Sequence, residues 1–138
     1  MAKEKPGNLN VPSEQALAAA RRRPTKAAVT RPERCCVNHF WAVVETDGTL
    51  VRGRNVVRST KLPGVGTYEV VFTNDVSGGV YVATIGRPGI STEPAGEIGV
   101  ALRCCLPPAE ANKGVWVDTH DSNGLPSDRA FHLVVHVD

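Results

Sequence analysis

The sequence predicts an all-β protein: an antiparallel two-sheet sandwich of jelly-roll or immunoglobulin-like kind, with an extended N-terminal arm that contains a short helix. The first observation behind this prediction is that valine-rich segments with period-two alternation recur through residues 38–138. The second is that clusters of glycine, proline, asparagine and aspartate separate these segments at short intervals. The third is that this part of the chain shows no helical pattern of ordinary length. Such spacing is typical of β-sandwiches.

Length and composition fit one domain. The chain has 138 residues, of which 41% are hydrophobic and 22% are charged, and its net charge is +2. This length is enough to bury a core, and the ordinary apolar content excludes a wholly disordered chain. No apolar run is long enough to cross a membrane, and residues 1–6 lead into polar sequence where a secretory signal would be apolar. We therefore expect no membrane partner, and a location in a virion or a cytoplasmic assembly.

The net charge hides a division of the chain into two parts. Residues 1–37 hold eight basic and three acidic side chains, a net charge of +5. Residues 38–138 hold eight basic and eleven acidic side chains, a net charge of −3, and all seven aromatic residues. This division predicts a basic, Pro/Arg-rich docking arm over 1–37 and a β-sandwich body over 38–138.

The arm is predicted to be irregular apart from one helix. Ser13 is a suitable N-cap for a helix over residues 14–23, which Pro24 ends. A helix of this length is unstable alone in water, and its leucine and alanines offer little apolar surface to hold it on the body. We therefore expect the arm to become ordered on a partner.

The basic arm predicts docking onto a larger protein assembly such as a capsid or a tail. Nucleic acid is the less favoured partner, because the arm has no aromatic residue on which bases could stack. The predicted docking residues are Leu17, Arg21, Arg22, Arg23, Lys26, Arg31 and Arg34.

The body is predicted to contain seven or eight short strands, taken in order along the chain. The dipeptide Asp47-Gly48 predicts a type I′ hairpin between the first two. In the fourth, Tyr68, Val70 and Phe72 are expected to share one face. The predicted strands cover residues 39–45, 49–52, 56–62, 67–73, 80–85, 97–103, 115–120 and 130–137.

The polar residues of the last two segments predict no metal site. Residues 118–124 resemble a calcium loop but lack its first and last ligands, so a turn rich in aspartate and asparagine is the preferred interpretation. His132 and His136 share a side of the last strand but lie about 13 Å apart, too far to share one ion. If the last two segments pair as a hairpin, Asp118 lies opposite His132 and forms a cross-strand ion pair.

The four cysteines form two adjacent doublets, Cys35-Cys36 and Cys104-Cys105. Adjacent cysteines on an extended chain point in opposite directions, which disfavours a four-cysteine zinc site. Disulfides from the end of the arm to the strand near residue 104 remain an alternative. Reduced thiols that partly pack in the core are the preferred state.

Motifs of the common enzyme classes are absent from the sequence. It contains no glycine-rich phosphate loop, no Gly-x-Ser-x-Gly and no His-Glu-x-x-His. We therefore expect a non-enzymatic protein with no catalytic residues, no metal and no cofactor.

Four stretches of the body, residues 40–53, 66–72, 81–86 and 127–135, carry a resemblance to known proteins. They resemble small bacterial and phage β-domains that form the C-terminal heads of tail-fibre-like or collagen-like proteins. The resemblance covers roughly residues 38–137 and none of the arm. It implies a β-sandwich head that associates as a homo-oligomer, preferably a trimer. It carries over no catalytic residues.

These observations predict a structural protein of a phage-like particle, either a capsid decoration protein or a tail-associated head, which the arm docks to its assembly. The alternative is a module that binds glycans or cell surfaces through the loops 86–96 and 121–129, with Trp116 and Tyr81 as sugar-stacking residues.

Overall fold

The computed structural model describes residues 38–138. The arm helix predicted over 14–23 and the seven predicted docking residues lie outside this range. Each of the eight predicted strands is present within one or two residues of its expected bounds, and a short 3₁₀ helix spans Pro108–Glu110. The strands are β1 Asn38–Val44, β2 Leu50–Arg54, β3 Val56–Lys61, β4 Thr67–Phe72, β5 Val80–Ile85, β6 Gly96–Leu102, β7 Gly114–Asp121 and β8 Phe131–Val137.

The strands form two antiparallel four-stranded sheets, which confirms the all-β prediction for the described residues. The first sheet has the order β2-β1-β8-β5 and the second the order β3-β4-β7-β6. One hydrophobic core joins their facing sides, so the arrangement is sandwich-like. No α-helix occurs within residues 38–138, and consequently none there is long or apolar enough to cross a membrane.

Alternation along the central strands builds the core. Phe40 of β1 packs edge-on against Phe72 of β4, with ring centroids 5.7 Å apart. Tyr68 of β4 packs in the same way against Phe131 of β8 at 5.1 Å. Each pair joins one sheet to the other, and such contacts add about 1 kcal/mol beyond the burial of apolar area. The predicted inner face of β4 is confirmed, since Tyr68, Val70 and Phe72 are all fully buried.

The turn between β1 and β2 is a hairpin as predicted, but it is not of type I′. Gly48 has a φ of 88°, whereas Asp47 is not left-handed, and a type I′ turn requires positive φ at both residues. The Gly48 N–H donates to the Glu45 carbonyl at 2.9 Å, and the Glu45 N–H donates to Thr49 at 2.9 Å. Thr49 N–H also donates to the Asp47 carboxylate, which keeps Asp47 out of the left-handed region. The loop is therefore a type I turn followed by a left-handed glycine.

The last two strands do not pair with each other, so the predicted Asp118–His132 ion pair is wrong. Asp118 of β7 lies opposite Thr67 and Gly99 in the second sheet. His132 of β8 lies opposite Val43 and Thr84 in the first sheet. The connection after β7 therefore crosses from the second sheet to the first.

The connections gather at two ends of the sandwich. At one end, which we call the loop end, the Gly86 N–H donates to Ala130 at 3.0 Å and the Gly66 N–H donates to the Asp128 carboxylate at 2.6 Å. At the other end, the Asn38 end, the Thr73 N–H donates to Asn55 at 2.9 Å. The loop end comprises residues 45–49, 62–66, 86–95 and 122–130, and the Asn38 end comprises Asn38, Asn55, 73–79 and 103–113.

Candidate functional site

The two loops predicted to bind glycans lie side by side at the loop end. Glu93, whose side chain is only 4% exposed, ties the first loop to the residue that follows the second: it accepts from Arg87 Nε at 2.7 Å and from the Ala130 N–H at 3.3 Å. The Arg52 guanidinium donates to the Pro88 carbonyl at 3.0 Å, which fixes the first loop to β2. The first loop is therefore braced against β2 and against the start of the chain segment that leads into β8.

Neither predicted sugar-stacking residue lies at that surface. Tyr81 packs against the core, and its hydroxyl donates to the Val76 carbonyl at 2.7 Å, near the Asn38 end. Trp116 lies on the outer face of the second sheet, where the Arg103 guanidinium is 5.3 Å from its ring centroid. The sequence of the two loops contains no aromatic residue, so a glycan held there would be bound without aromatic stacking.

An apolar patch lies on the outer face of the first sheet, among polar side chains of the same face. We call Trp41, Val80, Val82 and Val134 the outer patch. Trp41 lies opposite Val134, which in turn lies opposite Val82, so the three side chains form one row across three strands. Val80 and Val82 are 64% and 56% exposed. Contiguous apolar surface of this kind is typical of contact sites.

Trp41 was not predicted from the sequence as a surface residue, although the alternation in β1 indicates its outward orientation. Phe40, Ala42 and Val44 occupy the buried phase of that strand. Trp41 therefore occupies the opposite phase, which alternation assigns to the outer face. A large aromatic residue at an outward-facing position of a strand is unusual, and it could have identified this face as a candidate contact surface.

The outer face of the second sheet carries a buried ionic network. Glu69 of β4 is 5% exposed and its carboxylate is clamped by Arg58 Nη1 at 2.6 Å and Arg103 Nε at 2.8 Å. Arg58 also pairs with Glu110 at 2.8 Å. Burial raises the pKa of Glu69, but the hydrogen bonds from Arg103 and Arg58 outweigh burial and hold that pKa below its ordinary value. The network ties β3, β4 and the 103–113 connection together.

The calcium-like loop after β7 is the turn that the sequence predicted. One Asp121 carboxylate oxygen accepts from the N–H groups of Asn123 at 2.8 Å and Leu125 at 3.1 Å. Asp118 pairs instead with its neighbour on the same side of β7, His120, at 3.5 Å. Within residues 38–138, no group of three histidine, cysteine or acidic side chains is arranged to hold a metal ion.

The environment of Cys104 and Cys105 differs from the prediction. Cys104 and Cys105 are free and exposed, so they do not pack in the core. Their sulfur atoms lie only 2.6 Å apart, because Cys105 has a φ of 64° and the chain is not extended there. The expectation that the two side chains diverge is therefore wrong. Cys35 and Cys36 lie outside the described residues.

Comparison of the chain with protein-family models, with curated proteins and with solved structures found no match.

Proposed function

We propose that the protein is a non-enzymatic structural component of a larger assembly, with residues 38–138 as its body and residues 1–37 as its docking arm. The observation that carries this proposal is the division of the sequence into a +5 segment without aromatic residues and a −3 segment with all of them. A basic segment of this kind binds an acidic surface by charge complementarity. The specific form of the proposal is a capsid decoration protein or a tail-associated head of a phage-like particle.

The finer architecture in this proposal is a jelly roll or an immunoglobulin-like sandwich. Eight strands in two four-stranded sheets support the jelly-roll form, because immunoglobulin constant and variable domains have seven and nine strands.

The docking arm is tested by charge reversal in the full-length protein. We expect the triple variant Arg21→Glu, Arg22→Glu, Arg23→Glu to lose most of its association with high-molecular-mass particles from the source cells. The double variant Lys3→Glu, Lys5→Glu is the control, because it also reverses charge on the arm but leaves the predicted docking residues intact. The measurement is the fraction of tagged protein that co-sediments with the particles. Equal sedimentation of the triple variant and the wild type would contradict arm docking.

We propose that the body associates with further copies of itself, preferably as a trimer, through the outer patch. The row formed by the exposed Val82 and the half-buried Val134 and Trp41 supports this, since apolar surface in contact with water favours burial at an interface. We expect Val82→Glu to reduce the molar mass measured by light scattering to that of one chain. Thr84→Glu, two residues further along the same exposed side of β5, is the matched control and keeps the wild-type mass. If Val82→Glu leaves the mass unchanged, the outer patch is not the interface.

The second candidate function is glycan or cell-surface binding at the loop end. The hydrogen bond from Ala130, the residue directly after the loop 121–129, to Glu93 favours it, because it brings the ends of two distant segments together at the loop end. Binding on a glycan array that survives the arm triple variant, and is lost on replacing Ser122 and Asn123 by alanine, supports this candidate over the first. Array binding that the arm variant abolishes counts against it.

A further inference from the structure

The 103–113 connection contains an unusual pair of adjacent thiols. Cys105 donates a hydrogen bond to Cys104 across 2.6 Å, and both side chains are exposed. Cys105 reaches this geometry by adopting a left-handed backbone conformation. Residues other than glycine, asparagine and aspartate seldom adopt this conformation. Strained backbone of this kind is concentrated at functional positions.

The thiol pair lies in the wall of a surface pocket of about 280 Å³. Leu102, which is 40% exposed, and Leu106 form the apolar part of the pocket wall. Arg103, which also lines the pocket, directly precedes the two cysteines in the sequence. A small molecule that enters this pocket therefore meets both sulfur atoms together. The lining residues are Leu102, Arg103, Cys104, Cys105, Leu106, Ala111 and Asn112.

We propose that Cys104 and Cys105 form a reversible redox site, in which a low-molecular-weight disulfide oxidises the adjacent thiols to a vicinal disulfide. In the first step the Cys104 thiolate attacks one sulfur of the reagent, and one reagent thiolate leaves. In the second step the Cys105 thiolate attacks the Cys104 sulfur, and the second reagent thiolate leaves. The protein loses two protons and two electrons, and the reagent disulfide gains them as it becomes two thiols.

The order of these steps follows from the hydrogen bond between the thiols. Because Cys105 donates to Cys104, this bond and the charge of Cys104 raise the pKa of the Cys105 thiol. Cys104, which accepts the hydrogen bond, is therefore assigned as the attacking sulfur, and Cys105 as the sulfur that closes the disulfide. The positive charge of Arg103 acts in the opposite direction on Cys105 and lowers the pKa of that thiol, but it is a smaller influence than Cys104.

The reversibility follows from chain geometry. Adjacent α-carbons are about 3.8 Å apart across a trans peptide, whereas relaxed disulfides join α-carbons at least about 4.4 Å apart. A disulfide between neighbours is thus strained, and strained, exposed disulfides are the ones that small thiols reduce readily. This site therefore differs in kind from a structural cross-link between the arm and the body.

The test uses the full-length protein, oxidised glutathione and digestion with trypsin. Cleavage after Arg103 and Lys113 releases residues 104–113 with one doublet, and cleavage after Arg34 and Arg52 releases residues 35–52 with the other. We expect peptide 104–113 to lose two hydrogens, to resist alkylation, and to regain both thiols in excess reduced glutathione. Covalent linkage to peptide 35–52, a persistent glutathione adduct, or two freely alkylated thiols after the oxidant would each overturn the proposal.

Two variants distinguish formation of the Cys104–Cys105 disulfide from other reactions of the thiols with glutathione. Cys104→Ser is expected to leave Cys105 able to form only a stable glutathione adduct, because its partner sulfur is gone. Cys35→Ser with Cys36→Ser is expected to leave oxidation of peptide 104–113 unchanged. Loss of that oxidation in the second variant would assign the chemistry to the doublet near the arm and overturn the proposal.

Discussion

Replacing Glu69 by alanine is expected to lower the free energy of unfolding by about 3 kcal/mol, because it leaves Arg58 and Arg103 without their shared carboxylate in a partly buried site. The two arginines are themselves partly exposed, which places the effect at the lower end of the range for broken buried pairs. The measurement is urea denaturation at neutral pH.

The matched control is Glu97→Ala. Glu97 is an exposed glutamate of β6 in the same sheet, and its loss is expected to change stability by no more than about 0.5 kcal/mol. If the two variants show equal stability, the clamp on Glu69 contributes nothing to the fold.

The Glu69 variant also carries a pH signature. The folded-state pKa of Glu69 is held below the ordinary value of 4.5, so this carboxylate stabilises the fold above pH 4.5. The contribution is lost as the pH falls through the folded-state pKa. We therefore expect the stability gap between wild type and Glu69→Ala to narrow as the pH falls below 4.5. A gap that is constant across this range would assign the effect to packing and not to charge.

Replacing Gly66 by alanine is expected to destabilise the protein by about 3 kcal/mol, through backbone strain and steric overlap together. Gly66 has a φ of 70°, which an L-residue adopts at a cost of about 1–2 kcal/mol. A Cβ at this position would also overlap the Thr119 carbonyl oxygen. The same residue donates to Asp128 and accepts from the Thr119 N–H at 2.7 Å, so displacing it breaks contacts at the loop end.

The chain offers a matched control for this variant in Gly124. Gly124 has a φ of 77°, but a Cβ there would meet open space. Gly124→Ala should therefore show the conformational cost alone, about 1 kcal/mol. The difference between the two variants in thermal or urea unfolding measures the steric part. Equal losses would show that the loop end relaxes around the added methyl group.

The strands could be predicted because their signals are local. Valine-rich alternation defines β4 and β8, and turn residues end them within a few positions of the observed bounds. Which strands pair could not be predicted, because β1 meets β8 across almost the whole body and no local pattern encodes that contact. The false hairpin between β7 and β8 came from assuming that neighbours in sequence are neighbours in a sheet.

The site residues show the same division between local and distant information. The outward orientation of Trp41 follows from the alternation of β1 and could have been predicted from the sequence. The burial of Glu69 on an outer face could not, because it depends on Arg58, on Arg103 34 residues away, and on the fold that brings them together. The geometry of the Cys104–Cys105 pair was also hidden, since nothing in the sequence announces a left-handed cysteine.

The pairing of β1 with β8 has a consequence for how the chain is made. These two strands are the central pair of the first sheet, so the sheet lacks its middle until the last strand has been synthesised. While the ribosome is still translating, β1 exposes Phe40 and Val44 and has only β2 beside it. The body therefore cannot acquire its native structure before β8 has been synthesised, and a nascent chain stalled before β8 is a substrate for chaperones and proteases.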